Sequence, residues 1–274
     1  MVLIRLAKFV TAGFLAVVPL AVLPPDAVAA PKVSVLAFGL VGSQSVFESE
    51  AKGSAAILAQ QLGASNVVAR ANTKTRGDVT IEAIKAAIQS TAAKMDREHD
   101  LLALILTSHG SADGVAVQAG RRVETLSPSA LARLLDSAGV RHRIVIISAC
   151  YSGVFLGPLA NDDSLVITAA DSEHSSFGCQ DKVKWTYFGD AFFNMALRHT
   201  SDLRQAFDEA RSIVRKRELH YHLVPSNPQI AGGKNIDVPL REGGAEARRV
   251  SPQHVRSRDA GRGNPLFQPH AGEH

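Results

Sequence analysis

The sequence predicts an α/β domain built on a doubly wound, mostly parallel β-sheet with helices on both faces. Two apolar runs, residues 101–106 and 143–147, consist mainly of Leu, Ile, Val and Ala, and each is followed by small residues. Such runs are typical of interior strands in a parallel sheet, which is covered on both faces. Strand-like and helix-like segments also alternate along most of the chain, as expected for βαβ units.

The remaining elements follow from the spacing of apolar residues and from the residues that begin or end helices. Strands are predicted at 33–39, 66–69, 165–169 and, as a last edge strand, 229–231. Helices are predicted at 47–62, from Asp78 or Thr80 onward, from Ser127-Pro128 to Gly139, and at 188–197 and 203–219. A small hairpin is predicted at 114–117 and 121–124. Gly63 and Gly139 are expected to end helices, and Pro128 suits a first helical position.

Residues 1–29 have the layout of a secretory signal peptide. Arg5 and Lys8 give a positive start, residues 9–23 form an apolar core, and Ala-Val-Ala at 27–29 matches a small-x-small cleavage site. The apolar core is too short for a comfortable membrane span. We therefore expect cleavage after Ala29 and a mature protein without a stable membrane span, in a bacterial periplasm or outside the cell. An uncleaved signal anchor is the alternative.

Composition divides the rest of the chain into one domain, residues 30–238, and a disordered basic tail, residues 239–274. The tail is rich in Gly, Arg, Pro, Ser and His and has no apolar periodicity. The net charge is only +4, and no basic face interleaved with aromatic residues is present, so a nucleic-acid partner is not expected. Two cysteines are too few for a disulfide framework.

A histidine and a cysteine each follow one of the two central apolar runs. Ser108-His109-Gly110 follows the first run, and Ala149-Cys150 follows the second. Parallel strands leave their carboxyl ends on one edge of the sheet, where ligands bind. We therefore expect both side chains at the same edge, which is the arrangement that a thiol nucleophile and its base require.

A cysteine attacks as the thiolate, and its unperturbed pKa of about 8.5 leaves little thiolate at neutral pH. An imidazolium at His109, or the N-terminus of a helix that begins after Gly153, is expected to lower the pKa of Cys150. The backbone amides of Gly110 and Cys150 are candidates for an oxyanion hole, whose donors contribute roughly 3–4 kcal/mol each in other enzymes. The alternative is an inert, buried cysteine.

Five short blocks occur in order along the chain: Leu-Thr-Ser-His-Gly at 106–110, Ile-Ser-Ala-Cys-Tyr-Ser-Gly at 147–153, Thr-Ala-Ala at 168–170, Ser-Ser-Phe-Gly-Cys at 175–179 and Thr-Tyr-Phe-Gly-Asp at 186–190. The first two resemble the catalytic blocks of caspase-like cysteine peptidases. All five together resemble the legumain family, peptidase family C13. The similarity covers about residues 31–235.

The resemblance implies a caspase-like three-layer sandwich in which a six-stranded sheet lies between helices. It implies a dyad of Cys150 and His109 with no metal or other cofactor, acting on a peptide or protein substrate. It also places Ser176 and Asp190 in the pocket for the substrate residue before the cleaved bond, which in legumains is Asn or Asp. The Asp190 carboxylate can accept hydrogen bonds from a side-chain amide, and it would pair equally well with a basic side chain.

The chain departs from the legumain pattern at two places. Legumains carry an Arg-His pair and an asparagine in the loop after the first strand, and our best alignment places Glu48 and Glu50 near the asparagine and arginine positions. Tyr151 stands where legumains have an acidic residue. We therefore include Glu50 and Tyr151 among the expected substrate-binding residues. An acidic pocket that favours Lys or Arg is the alternative to Asn specificity.

Several other polar residues are expected to be structural. A bridge between Cys150 and Cys179 is possible in an oxidising compartment and would abolish the nucleophile, but the family pattern favours a free, structural Cys179. His174 is expected at the pocket rim or on the surface. Asp171 is expected to be structural rather than to orient a catalytic group. His220 and His222 are expected on the surface rather than on a metal.

The sequence therefore predicts an exported cysteine endopeptidase that works through a thioester acyl-enzyme. A transpeptidase or transamidase would share that intermediate and differ only in whether water or an amine resolves it. A non-catalytic caspase-like module that binds peptides or partners is the main alternative. A redox protein using both cysteines is a further one, weakened by the absence of a C-x-x-C motif. The oligomeric state does not follow from the sequence.

Overall fold

The computed structural model describes residues 30–236, so the predicted signal peptide at 1–29 and the predicted tail at 239–274 lie outside the described residues. In chain order the helices and strands are β1 (Val33–Gly39), α1 (Ser45–Leu62), β2 (Asn66–Ala71), α2 (Ile81–Ala92), β3 (Leu101–Thr107), β4 (Gly110–Ser111), β5 (Gly114–Ala119), β6 (Arg122–Leu126), α3 (Pro128–Ala138), β7 (His142–Ser148), α4 (Leu156–Leu159), β8 (Ser164–Thr168), α5 (Tyr187–Gly189), α6 (Leu203–His220) and β9 (Gln229–Gly232).

The main sheet has six strands in the order β2-β1-β3-β7-β8-β9. All neighbouring pairs are parallel except β8 and β9, which are antiparallel. The predicted mostly parallel, six-stranded sheet is thus confirmed. β3 and β7 form the central pair, and every residue of β3 is buried. Burial on both faces explains why these two strands are continuous apolar runs in the sequence rather than alternating ones.

Helices cover both faces of this sheet and complete the expected three layers. One face carries α1, the segment 187–198 and α6, whose buried side chains form a single cluster with the strands. The other face carries α2, α3 and α4. Ala55 and Leu58 of α1 on one side and Ile84 and Ile88 of α2 on the other are almost fully buried.

Local signals fix several helix ends. The Thr80 hydroxyl accepts a hydrogen bond from the Ala83 amide at 3.1 Å, so Thr80 rather than Asp78 caps α2. Ser127 caps α3 in the same way. Gly63 and Gly139 follow α1 and α3 in the left-handed conformation, where a glycine carries no steric cost.

The segment 188–197 differs from the regular helix that the sequence predicts. One α-helical turn at Tyr187–Gly189 is followed by a π-helical segment, Asp190–Met195, and a 3₁₀ turn, Ala196–Arg198. The wider π-turn lets the consecutive residues Ala191, Phe192 and Phe193 all face the core, which an α-helix would spread around its surface. Apolar spacing alone does not reveal this local widening.

A second, three-stranded sheet of β4, β5 and β6 follows directly after β3. It contains the predicted hairpin, with β5 and β6 antiparallel. The Ala116 amide donates to the carbonyl of His109 at 3.0 Å, so this small sheet holds the chain that follows the histidine. Within residues 30–236, no helix is both long enough and apolar enough to cross a bilayer.

Candidate active site

His109 and Cys150 both lie at the carboxyl edge of the central strand pair. Thr107 at the end of β3 is in register with Ser148 at the end of β7, and each of the two predicted residues lies two positions further on. The Ser108 amide also donates to the Ser148 carbonyl at 3.1 Å. The structure therefore brings together the two strand ends that the sequence singled out.

Gly110 lies against the backbone of the cysteine. A Cβ atom built at Gly110 would overlap the carbonyl oxygen of Cys150 and crowd the Ala149 side chain. Only a residue without a side chain fits there, because backbone atoms cannot move aside as a flexible side chain can. The close approach keeps the histidine loop in contact with the cysteine loop.

The chain turns sharply immediately after Cys150, at Tyr151. Tyr151 has φ of 53°, in the left-handed region that non-glycine residues rarely adopt. Its amide donates to the His174 carbonyl at 2.9 Å. Gly153 serves a different purpose, because a Cβ there would collide with the backbone of Asp171 and Ser172.

The thiol of Cys150 lies among groups that stabilise its negative charge. A hydrogen bond from the Cys179 thiol, aided by the Ser176 backbone and the Ser175 side chain, lowers the pKa of Cys150 to about 6. Burial acts in the opposite direction but does not prevail. The expected causes were a His109 imidazolium or a helix N-terminus, whereas the main cause is the second cysteine. Both thiols are free, and Cys150 Sγ lies 3.4 Å from the Ser176 carbonyl oxygen.

His109 is held by a residue that the sequence analysis missed. Its Nε2 donates a hydrogen bond to the side-chain oxygen of Gln44, and Phe47 meets the imidazole edge-on with ring centroids 5.0 Å apart. Burial lowers the pKa of His109, so the ring is neutral at pH 7 and Nδ1 is left as an acceptor. The amide group of Gln44 in turn donates to the Cys179 carbonyl at 3.0 Å.

Gln44 could have been found from its place in the chain. It follows β1, a strand next to β3, and therefore stands at the same edge of the sheet as the dyad. The alignment drew attention instead to Glu48 and Glu50, one and two turns further along α1. The signal in the sequence was a polar residue just after a strand that neighbours β3 in the parallel sheet, which indicates a side chain at the same edge as His109.

A sequence profile described as the peptidase C13 family matches residues 58–231. The chain belongs to the peptidase C13 family. The structure is also similar to caspase-1 from Spodoptera frugiperda, with a TM-score of 0.53 and 17% identity over 78% of this chain and 94% of that chain. At this identity the likeness shows the fold alone, and it confirms the caspase-like sandwich. No curated protein sequence matches the chain.

Membership in a peptidase family, together with the caspase-like fold, supports a cysteine peptidase. The matched segment includes His109 and Cys150, the loop with Ser176 and Cys179, and Asp190. It does not include Gln44 or Glu50. Of the two places where the chain departs from legumains, the one at Glu48 and Glu50 lies before the first residue matched by the C13 profile, and the other, Tyr151, lies within the matched segment.

The structure places the Ser176 backbone next to Cys150 and Asp190 in a separate group of hydrogen-bonded residues. Ser176 is 9% exposed. The Asp190 carboxylate accepts a hydrogen bond from Arg217 at 2.8 Å and one from the Asn194 side chain at 2.8 Å. Arg217 also lies over the Tyr187 ring, 5.0 Å from its centroid. Asp190 is therefore not the unpaired carboxylate that the C13 resemblance suggested.

Glu50 does not fit the substrate-binding role expected of it. The residue is 0% exposed, on the inner side of α1. Its carboxylate is hydrogen bonded to buried groups of the protein, and no face of it is open to a peptide. The alignment had placed it near a pocket arginine of legumains, but the helix turns this position into the core.

The remaining polar candidates lie outside the dyad. Asp171 accepts hydrogen bonds from the His174 ring at 2.8 Å and from Asn227 at 3.0 Å, so it orients His174 rather than His109. His220 and His222 are exposed. Within the described residues, no group of three or more His, Cys, Asp and Glu side chains is arranged to hold a metal ion.

Proposed function

We propose that this protein is a cysteine endopeptidase in which Cys150 is the nucleophile and His109 is the general acid and base. The observation that carries the proposal is the meeting of the two strand ends, with Gly110 packed on the Cys150 carbonyl. A pKa of about 6 for Cys150 means that most of this thiol is ionised at pH 7. A partly exposed thiolate beside a neutral imidazole is a reactive arrangement rather than an inert core cysteine.

The proposed reaction forms one bond at the Cys150 sulfur, the thioester C–S bond, and breaks it again when the acyl group is released. The Cys150 thiolate attacks the substrate carbonyl carbon, and the resulting oxyanion accepts hydrogen bonds from the amides of Gly110 and Cys150. Nδ1 of the neutral His109 ring first accepts a proton, from the thiol form of Cys150 or, where the thiol is already ionised, from solvent, and it gives this proton to the leaving amine as the C–N bond breaks. The neutral ring then takes a proton from water, which attacks the thioester and releases the acid product and the thiolate.

We infer that the residue before the cleaved bond is Asn or Asp rather than Lys or Arg. Asp190 and Ser176 are assigned to this pocket by their match to the legumain blocks, and Tyr151 lines it as the residue after the nucleophile. Arg217 already neutralises Asp190, so a cationic substrate side chain would have to displace an arginine. An amide or carboxylate can instead hydrogen bond to that arginine.

We also propose that residues 1–29 direct export and are removed, so that the mature enzyme starts at Ala30. N-terminal sequencing of the protein recovered from periplasmic and culture fractions tests this. A start at Ala30 in either fraction supports it. Recovery of chain that still carries Met1, bound to membranes, would favour the uncleaved anchor.

The peptidase proposal is tested by intact mass after reaction with iodoacetamide and with a peptidyl electrophile. Wild type is compared with Cys150→Ala, His109→Ala and the exposed-histidine control His199→Ala. We expect rapid addition of one label to wild type and to the control, none at position 150 in Cys150→Ala, and slow reaction of His109→Ala with the peptidyl electrophile. Slow labelling of every form, indifferent to His109, would favour the non-catalytic binding module.

The fate of the acyl-enzyme is read from the products of a peptide substrate with and without a primary amine. Hydrolysis yields only the free acid, whatever the amine concentration. Transpeptidation or transamidation yields a product joined to the amine, in proportion to its concentration. Either product requires the thioester, so both must vanish in Cys150→Ala.

A further inference from the structure

Glu50 presents a problem that its expected role does not solve. It is a carboxylic acid with no exposed surface, in the second turn of α1. Burial raises its pKa above the ordinary value, which reflects the cost of removing a carboxylate from water. Among residues 30–236 it forms no ion pair that would offset this cost. An apolar side chain at such a site would cost less free energy to bury.

The hydrogen bonds of Glu50 reach three separate parts of the chain. Oε1 accepts from the Thr107 hydroxyl at 2.9 Å, and Oε2 accepts from the Thr186 amide at 2.7 Å. The hydroxyls of Ser148 and Thr186 also hydrogen bond to this carboxylate, and they lie 3.2 Å from each other. Four donor groups on three segments thus converge on one side chain, and all of the residues that supply them are buried.

Each of these segments carries a part of the site. Thr107 ends β3 two residues before His109, and Ser148 ends β7 two residues before Cys150. Thr186 ends the loop that brings Ser176 and Cys179 to the nucleophile, and its hydroxyl accepts from the Gly189 amide to cap α5. Glu50 therefore stands where the histidine strand, the cysteine strand and the wall of the site meet.

Packing leaves this carboxylate no freedom. A Cβ atom at Gly189 would overlap the Glu50 carboxyl group, so the side chain is enclosed from that direction too. A carboxylate fixed by several donors in a dry interior is rigid, because any displacement leaves buried polar groups without a partner.

We propose that Glu50 is a positioning residue that fixes the placement of His109, Cys150 and the loop 175–186 relative to one another. It touches no substrate and acts through Thr107, Ser148 and Thr186. This inference rests on the proposed function for its effect on catalysis. Its effect on the Cys150 thiol is a property of the folded protein, whether or not a peptide is cleaved.

The test compares Glu50→Gln with wild type and with Glu209→Gln, an exposed carboxylate on α6. The readout is the rate of Cys150 alkylation by iodoacetamide across pH, followed by intact mass. Glutamine has the shape of glutamate but cannot accept from all of the donors at once, so the contacts that lower the Cys150 pKa are loosened. We expect the pH midpoint of Cys150 alkylation to rise by about one unit in Glu50→Gln. This rise slows labelling at about pH 5 roughly tenfold.

The sign of this shift separates positioning from a simple charge effect. Removing a nearby negative charge would, by itself, make the thiolate more stable and speed labelling at low pH. A folded Glu50→Gln that is labelled as fast as wild type, or faster, therefore overturns the proposal. Thr107→Val, which removes one donor and keeps the shape, must shift the midpoint in the same direction, and it decides the matter if Glu50→Gln fails to fold.

Peptide cleavage is measured in parallel so that the two proposals fail independently. We expect Glu50→Gln to lower kcat/KM, because the two strand ends and the loop that carries Ser176 are no longer fixed relative to one another. If wild type cleaves no peptide while alkylation still depends on Glu50, the proposed function fails and the positioning role stands. If wild type cleaves peptides and Glu50→Gln matches it in both assays, the positioning role fails and the proposed function stands.

Discussion

His109 Nε2 donates a hydrogen bond to the side-chain oxygen of Gln44, whose amide group donates to the Cys179 carbonyl at 3.0 Å. The second bond fixes the orientation of the amide, since only its nitrogen can donate. The first bond fixes the tautomer of the imidazole and leaves Nδ1 as the nitrogen for proton transfer. Gln44 thus links the histidine to the loop that carries the second cysteine.

Replacing Gln44 by Ala should lower kcat/KM about tenfold or more, because the imidazole loses both its tautomer preference and its orientation. Gln44→Glu keeps an acceptor for Nε2 but loses the donor to Cys179, so we expect it to retain more activity than Gln44→Ala. The measurement is kcat/KM on one peptide across pH. Gln60→Ala, at an exposed position on the same helix, is the control.

Equal activities for Gln44→Ala and Gln60→Ala would show that His109 holds its orientation without this bond. A loss of similar size in Gln44→Glu and Gln44→Ala would instead assign the effect to the Cys179 carbonyl, and not to the imidazole.

The hydrogen bond between the two thiols predicts a pH effect with a definite sign. Cys179 stabilises the Cys150 thiolate and lowers the pKa of Cys150 to about 6, while the same bond and burial raise the pKa of Cys179. Cys179→Ala removes the donor, so the midpoint for Cys150 alkylation should move from about 6 toward the ordinary value of a cysteine. Labelling below the new midpoint then slows about tenfold per unit.

Cys179→Ser is the matched variant for this prediction, since it keeps a hydroxyl donor at nearly the same place. We expect its midpoint to fall between those of wild type and Cys179→Ala. If Cys179→Ala is labelled with the wild-type midpoint, the low pKa of Cys150 is due to the Ser176 backbone and the Ser175 side chain rather than to Cys179.

Gly110 and Gly157 give a test of the close approach at the site. A methyl group at Gly110 overlaps the Cys150 carbonyl, whereas one at Gly157 meets nothing within 4 Å. Gly110→Ala should therefore abolish peptide cleavage and lower the thermal midpoint, while Gly157→Ala should leave both unchanged. Activity is measured with the peptide substrate and stability by thermal unfolding. A fully active Gly110→Ala would mean that the histidine loop can move away from the cysteine without loss.

The central strands and the placement of His109 and Cys150 at one edge of the sheet could be predicted because their signals are local. Residues 101–106 and 144–147 are apolar throughout, and each run is followed within a few residues by a chemically distinctive side chain. Parallel pairing then brings the two strand ends together without further information. The six-stranded sheet, its helices on both faces and the C13 family followed from these same segments and from the short blocks around them.

The surroundings of the dyad could not be predicted because they depend on contacts between distant segments. Glu50 bonds to Thr186 across 136 positions, and Gln44 bonds to Cys179 across 135. An alignment places a residue near a motif but does not say which way a helix turns it. This is why Glu50 was assigned to the pocket although its carboxylate lies inside the protein.

The ion pair between Arg217 and Asp190 predicts how the substrate preference can be changed. Both side chains are about one-quarter exposed, and their nitrogen and oxygen atoms are 2.8 Å apart. Arg217→Ala leaves Asp190 with Asn194 but without a cation. We expect cleavage of a peptide with Lys before the scissile bond to rise about tenfold relative to the Asn peptide, the equivalent of roughly 1.4 kcal/mol.

Arg215→Ala, at an exposed position on the same helix, is the control and should leave the ratio unchanged. The double variant Arg217→Ala with Asp190→Asn should return the ratio toward wild type, because the released carboxylate is then absent. The measurement is kcat/KM for peptides that differ only at this residue. An unchanged Lys-to-Asn ratio in a folded, active Arg217→Ala would place the Asp190 group outside the pocket, and Ser176 with Tyr151 would then have to account for the preference.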